Sequence, residues 1–256
     1  MELNYKVFGE GEPVIIIHGL FGTLDNWQSI AKKLSANFMV FIIDLRNHGR
    51  SPHADEFSYK IMADDVQAFM ENNWIYEAAV VGHSMGGKVA MQLAGDNPDM
   101  VRELVLVDMA PKSYEGSHQA IFEAMFELDL DTLKSRKEAD QQMSAKVPSF
   151  GVRQFLIKNL SLNKATQQYE WKHNLPVIYE HYNHILQYTP MNDPYEGPTL
   201  FIKGANSDYI LTEELEQYQE LFPTARIETI LNAGHWVHAE QPARFLEVLT
   251  AFLKEE

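Results

Sequence analysis

The sequence predicts an α/β protein built on a mainly parallel sheet, and three observations carry that expectation. Short β-rich runs recur along the chain, and amphipathic helical patterns separate most of them. Runs such as VIIIH and VFIID are apolar almost without a break, as strands covered by helices on both faces are.

Taken in order, LNYKVF near the start suits an edge strand, and PVIIIHG (13–19) is the first buried strand. LDNWQSIAKKLSA repeats apolar residues at three- and four-residue spacing, so a helix follows, and MVFIIDL (39–45) is the next strand. YKIMADDVQAFMEN is again helical, AAVVGHS (78–84) is a strand, MGGKVAMQLAG a helix, and ELVLVDM (103–109) a strand. The alternation then stops. Residues 112–197 read as helices alone, through HQAIFEAMFEL, TLKSRKEADQQMSAK, VRQFLIKNL and LPVIYEHYNHILQY, with Pro148, Gly151, Pro176 and Pro190 as breaks. PTLFIKG (198–204), TEELEQYQELF, ARIETIL (225–231) and QPARFLEVLTAFLKE resume it. The expected organisation is a core of residues 1–111 and 198–256, with 112–197 inserted over the strand ends as a helical lid.

Composition narrows the function. At 256 residues one large domain is expected. With 21 basic against 36 acidic side chains the formal charge is −15, which sets nucleic acid and anionic membrane surfaces aside as partners. The absence of cysteine removes disulfides, thiolate metal sites and cysteine nucleophiles. No apolar run is long enough to cross a bilayer, and MELNYKVFGEGEP lacks a secretory pattern, so a cytoplasmic protein is expected.

The stretch AAVVGHSMGGKVAMQLA (78–94) sets Ser84 between a strand and a helix. Joining those elements at one residue requires a sharp turn. Gly82 and Gly86 lack the Cβ atoms that would collide where the backbone crosses itself, and Ser84 itself is expected at a strained positive φ that pushes Oγ out above the sheet. The helix that opens there aims free N–H groups at whatever reacts with that oxygen. A hydroxyl needs a base to act as a nucleophile. LNAGHWVHAEQP supplies His235, directly after an Ala-Gly turn, with His238 as a structural neighbour. An acyl-transfer site also needs donors for an oxyanion, and HGLFG at another strand end offers backbone: the Leu20 and Met85 N–H groups are the expected pair, with His18 stabilising the turn.

In this order HGLFG, DLRNHGRS, GHSMGG and GHWVHAEQP resemble the α/β-hydrolase superfamily along the whole chain, and HGLFGTLDNW, DLRNHGRSP, GHSMGGKVAM, VDMAP and KGANSDY resemble small bacterial esterases of the YbfF type. The resemblance implies a twisted, mostly parallel sheet flanked by helices with a helical lid after the sixth strand. It also implies hydrolysis of carboxylic esters, with short acyl chains favoured and thioesters a further possibility, through an acyl-enzyme on Ser84 and without a cofactor. Asp44, Arg46 and His48 are then braces of the site.

Two aspartates compete to orient His235, since Asp108 and Asp208 both follow a strand and both lie between Ser84 and His235. In the commonest pattern of the superfamily the acid comes three residues after the glycine closing the next-to-last strand; counted from Gly204, that place is Ser207, and Asp208 is one step beyond. Asp108 ends an apolar run beside the nucleophile strand, where a carboxylate needs a partner, and the YbfF-type resemblance points to it. Asp108 is the expected acid and Asp208 the alternative.

Phe21, Trp171, Tyr179, Tyr182 and Trp236 are candidate walls of a substrate pocket, with Tyr188 beside them. His181 and His184 have helical spacing but lack a carboxylate to complete a metal site, so no metal is expected. The fold alone does not fix the chemistry. A carbon–carbon-cleaving enzyme such as a menaquinone-pathway lyase would require basic groups in its pocket, for which Arg153, Lys158 and Lys172 are available, and a ligand-binding receptor with little turnover is the other alternative. The oligomeric state is not encoded in any motif.

Overall fold

A computed structural model describes residues 1–188, 191 and 193–255; Pro190, expected as a break in the inserted segment, lies outside them. Among the described residues the main sheet has seven strands: β1 (Tyr5–Phe8), β2 (Pro13–Ile17), β3 (Met39–Ile43), β4 (Ala78–His83), β5 (Val101–Val107), and, after a hairpin of β6 (Leu160–Leu162) and β7 (Tyr169–Trp171), β8 (Thr199–Gly204) and β9 (Arg226–Ile230). Their spatial order is β1-β3-β2-β4-β5-β8-β9. Only β1 runs antiparallel, against β3, and every other pair in this sheet is parallel.

Side-chain alternation divides the core between the two faces. Ile15, Ile17, Ala78 and Val80 join one apolar cluster, whereas Val14, Ile16, Ala79 and Val81 join the other. Helix α1 (Gln28–Leu34) contributes Ile30, Ala31 and Leu34 to the second cluster. Helix α2 (Tyr59–Asn72), capped by the Ser58 hydroxyl accepting from the Ile61 N–H, and α3 (Met85–Asp96) pack Met62, Val66, Phe69 and Val89 on the first.

Between β5 and β8 the chain forms α4 (Gln119–Phe126), α5 (Arg136–Met143), α6 (Phe150–Ile157), the hairpin, α7 (Leu175–Glu180) and α8 (Tyr182–Leu186). Helices α9 (Leu215–Tyr218), α10 (Val237–Glu240) and α11 (Pro242–Phe252) follow β8 and β9, and α11 covers the second face with Phe245 and Leu249. Phe122, Met125, Leu156 and Ile178 of the inserted segment are continuous with the first apolar cluster, so this segment shares the main core.

Two expectations need correction. The inserted segment follows the fifth strand, not the sixth, because one edge strand, β1, is all that precedes β2. It is also not helical throughout: Leu160–Leu162 pairs antiparallel with Tyr169–Trp171, a hairpin of three residues a side. Strands this short show too little alternation to be separated from helix in a sequence.

Strand order reverses at β2, whose neighbours are β3 on one side and β4 on the other. In open parallel sheets the crevice at the carboxyl ends of such strands is where ligands bind. The register brings Ile17 opposite Gly82, His83 opposite Val107, and Val107 opposite Ile202, so HGLFG, Ser84, Asp108 and the loop after Gly204 emerge together at one rim.

Candidate active site

Ser84 sits at φ 54° and ψ −123°, between β4 and α3. Few side-chain-bearing residues occupy such a conformation, and it persists because the surroundings impose it. A Cβ on Gly82 would lie 2.3 Å from the Gly86 carbonyl oxygen, and one on Gly86 would lie 2.5 Å from the carbonyl oxygens of Ile17 and His18. The chain can cross itself here only with glycine at both positions.

The structure places His235 over this turn. Its Nε2 is 3.0 Å from Ser84 Oγ, and its Nδ1 is 2.7 Å from Asp108 Oδ2. A carboxylate only accepts, so Nδ1 carries the proton and Nε2 is free to accept one from the serine. Asp108 is completely buried. Besides His235 it accepts from the Gly204 N–H at 3.1 Å and from the Ser207 hydroxyl. Three donors for one carboxylate offset the cost of burying it. Asp208, the alternative acid, is exposed.

The loop bearing His235 is held from several sides. Glu240 accepts from the Gly234 N–H at 2.8 Å and the Trp236 N–H at 3.2 Å. His83 Nε2 donates to the His235 carbonyl at 2.9 Å, and the Tyr209 ring stacks on the imidazole at 4.0 Å. Burial, with His235 and His238 adding to it, holds His83 well below the usual histidine range, so it is a neutral support. His238 is buried, stacked on Trp27 at 3.9 Å, and lowered by burial to about 3.

A turn closed by the Gly22 N–H on the Gly19 carbonyl carries Leu20, and Phe21 within it adopts φ 58°. Neither the Leu20 nor the Met85 N–H has a hydrogen-bond partner among the described residues. His18 Nδ1 donates to the Gly19 carbonyl at 2.8 Å while its Nε2 accepts from the Leu45 N–H, so the ring ties this turn to the loop after β3. Asp44 accepts from the Leu24 and Arg50 N–H groups, and Arg46 pairs with buried Asp65 at 2.6 Å. His48 Nδ1 donates to the Arg46 carbonyl.

A cavity of about 250 Å³ opens beside Ser84 and His235. Phe21 and Trp236 line it, together with His118, Ile121, Val152 and Phe155 from the inserted segment. Trp171 and Tyr179 do not. Trp171 Nε1 donates to the Met125 carbonyl, and Tyr179 packs on Phe122 and Phe126; both side chains are occupied within the inserted segment. Tyr182 lines a second, smaller cavity of about 40 Å³ that also reaches Ser84. Sequence reasoning missed His118, which touches both cavities, and Tyr209; nothing in local spacing singles them out. Ser207 was signalled by the count from Gly204. Arg153, a candidate cation for an anionic substrate, is committed to Asp140 and to the carbonyls of Val147 and Pro148. His181 Nε2 donates to the Asp55 carbonyl.

A hydroxyl on a strained strand-to-helix turn, joined through an imidazole to a buried carboxylate at the rim of a parallel sheet, defines a hydrolase-type site on an α/β sheet. The family model described as the alpha/beta hydrolase fold matches residues 12–242, and the chain belongs to that family. Within it the chain is similar to esterase YbfF of Escherichia coli strain K12, 35% identical over 244 residues that cover 95% of this chain and 93% of the relative. It is also similar to the sn-1-specific diacylglycerol lipase ABHD11 of Mus musculus, 39% identical over 94% of this chain and 80% of the relative. A solved structure titled "Marine microorganism esterase" superposes with a TM-score of 0.95 at 41% identity, covering 98% of this chain and 99% of that one.

Proposed function

We propose that this protein is a serine carboxylesterase that cleaves small carboxylic esters through an acyl-enzyme on Ser84. The observation that carries the reading is the unbroken relay from Ser84 Oγ through His235 to Asp108 beside a cavity that Ser84 and His235 both line. Relatives named as esterases and a lipase support the class of reaction.

In this reading His235 Nε2 takes the Ser84 proton as Oγ attacks the ester carbonyl, and Asp108 stabilises the imidazolium that forms. The Leu20 and Met85 N–H groups receive the developing oxyanion. Collapse expels the alcohol, which leaves with the proton from His235. Water activated by the same imidazole then releases the acid. The role of residues 112–197 is that of a lid, since α4 and α6 supply one wall of the cavity.

The cavity of about 250 Å³ beside Ser84 supports a short acyl chain, while an adjoining cavity of about 650 Å³ that shares Val152, Phe155 and Trp236 with it gives room for the other half of the ester; acyl thioesters are a second substrate class. Of the cations named for a lyase site, Arg153 is spent on Asp140 and two carbonyls, and neither Lys158 nor Lys172 lines the cavity beside Ser84.

The test is a panel of esters graded by acyl length, run beside acyl-CoA thioesters and a diacylglycerol. Wild-type protein should turn over acetate and butyrate esters fastest, and Ser84→Ala should lose roughly 10³-fold or more. A Ser84→Ala protein retaining a tenth of the activity would remove the nucleophile assignment, and faster turnover of long-chain esters would remove the short-acyl one.

A further inference from the structure

One turn beyond Ser84 on α3, Lys88 is a buried lysine lining the 40 Å³ cavity. Its Nζ donates to the carbonyls of Gln187 at 2.8 Å and Leu186 at 3.3 Å, and stands 5.0 Å from the Tyr114 ring centroid and 5.6 Å from that of Tyr59. No carboxylate among the described residues forms an ion pair with it; Glu115, which lines the same cavity, is exposed. Burial alone draws the ammonium down to about 8, which leaves it mostly charged at neutral pH. An ammonium has three donors, and among the described residues two carbonyls accept from it. Burying a charge without a counter-ion is costly.

The cavity has room for a small group, with the Lys88 ammonium as a polar point in a mainly apolar wall. About 10–15 Å³ of such volume holds one water, so about 40 Å³ accommodates a group of three or four heavy atoms, the size of a carboxylate. It shares Leu20, Ser84, His118 and Tyr209 with the larger cavity, so the two flank the reacting oxygen. Lys88 lies one helical turn, about 5.4 Å of rise, beyond Ser84, and both residues line this cavity.

We propose that the smaller cavity is a subsite for a carboxylate carried by the ester substrate a short chain away from the scissile carbonyl, with the Lys88 ammonium as its counter-ion. The subsite deepens the Ser84 esterase reading and rests on it. It gives the enzyme a preference for monoesters of short dicarboxylic acids, or for short-chain esters of hydroxy acids, over neutral esters of the same shape.

Two matched pairs test this. Monoethyl succinate against ethyl 4-methylpentanoate places the charge on the acyl side; 3-acetoxypropanoate against 3-methylbutyl acetate places it on the alcohol side. In one pair the charged ester should have a kcat/KM about ten- to a hundredfold above its neutral partner, the range of a hydrogen bond to a charged group. The favoured pair identifies the half of the ester that enters the subsite. Lys88→Met should bring that ratio to one or below, whereas loss of a mere tether would slow both esters together and leave the ratio unchanged. Ratios of one or less in both wild-type pairs overturn the proposal even if the variant does not fold, and so does a preference that survives Lys88→Met. If wild-type protein hydrolyses none of the four esters, or Ser84→Ala hydrolyses them as well as wild type, the esterase reading has failed rather than the subsite.

Discussion

Replacing Asp108 by asparagine changes one oxygen for an NH₂ group in a site that has room for acceptors only. Oδ2 accepts from His235 Nδ1 and Ser207, and Oδ1 accepts from the Gly204 N–H. If the amide oxygen faces His235, the NH₂ is directed at the Gly204 N–H, donor against donor. If it turns to satisfy Gly204, the NH₂ meets Nδ1 and forces the imidazole proton onto Nε2. That tautomer cannot take the Ser84 proton. The relay is therefore blocked in one orientation and loses a buried backbone hydrogen bond in the other.

The loss of kcat should be roughly 10³- to 10⁴-fold, or about 4–5.5 kcal/mol of transition-state stabilisation. Because Asp208 is exposed and outside the relay, Asp208→Asn should cost less than about tenfold. Initial rates on an acetate ester at saturating substrate, with circular dichroism to confirm folding, decide the matter. A folded Asp108→Asn protein within tenfold of wild type would refute the tautomer argument, and a larger loss in Asp208→Asn would transfer the role to that residue.

Further outcomes follow from other parts of the molecule. Gly86→Ala pushes a Cβ to 2.5 Å from two β2-side carbonyl oxygens and should cost about 3 kcal/mol, whereas Gly151→Ala on α6 meets nothing within 4 Å and should be neutral or slightly stabilising; thermal melts compare them. Buried His238 has its pKa drawn down by burial to about 3, so between the unfolded value of 6.5 and about 3 the unfolded chain binds the extra proton: stability is full above pH 6.5 and is lost as pH falls. At about 1.4 kcal/mol per unit, this site should remove about 2 kcal/mol between pH 7 and pH 5, and His238→Phe should lose less stability over that interval in denaturant titrations. Turnover should survive EDTA; activity lost on chelation and restored by zinc would reopen the His181 and His184 pair.

How far the sequence carried depends on the range of the interaction involved. Ser84, Gly82 and Gly86 were legible because a strand, a turn and a helix meet within five residues, and that geometry is local. His235 was legible for the same reason, as a side chain placed directly after an Ala-Gly turn. Asp108 could be ranked above Asp208 but not separated from it, since the donors that surround its carboxylate, Gly204 and Ser207, reach it only through the parallel pairing of β5 with β8. That pairing spans the whole inserted segment.

Residues whose surroundings come from the inserted segment were the least legible, and Lys88 on α3 shows why. In GHSMGGKVAM it reads as the polar residue that an amphipathic helix places toward water. Yet α3 is covered nearly all round, by the sheet, by α2 and by α8, so the outward face that hydrophobic periodicity assigns to a lysine does not exist here. Trp171 and Tyr179 fail in the opposite sense, since their aromatic character announces a contact without saying which one, and both satisfy it within the segment itself. A local pattern therefore locates the Ser84 turn, whose geometry depends on a few consecutive residues. The walls of the cavities come from helices packed across the sheet rim, and only the tertiary fold shows that Lys88 and Ser84 line the same cavity.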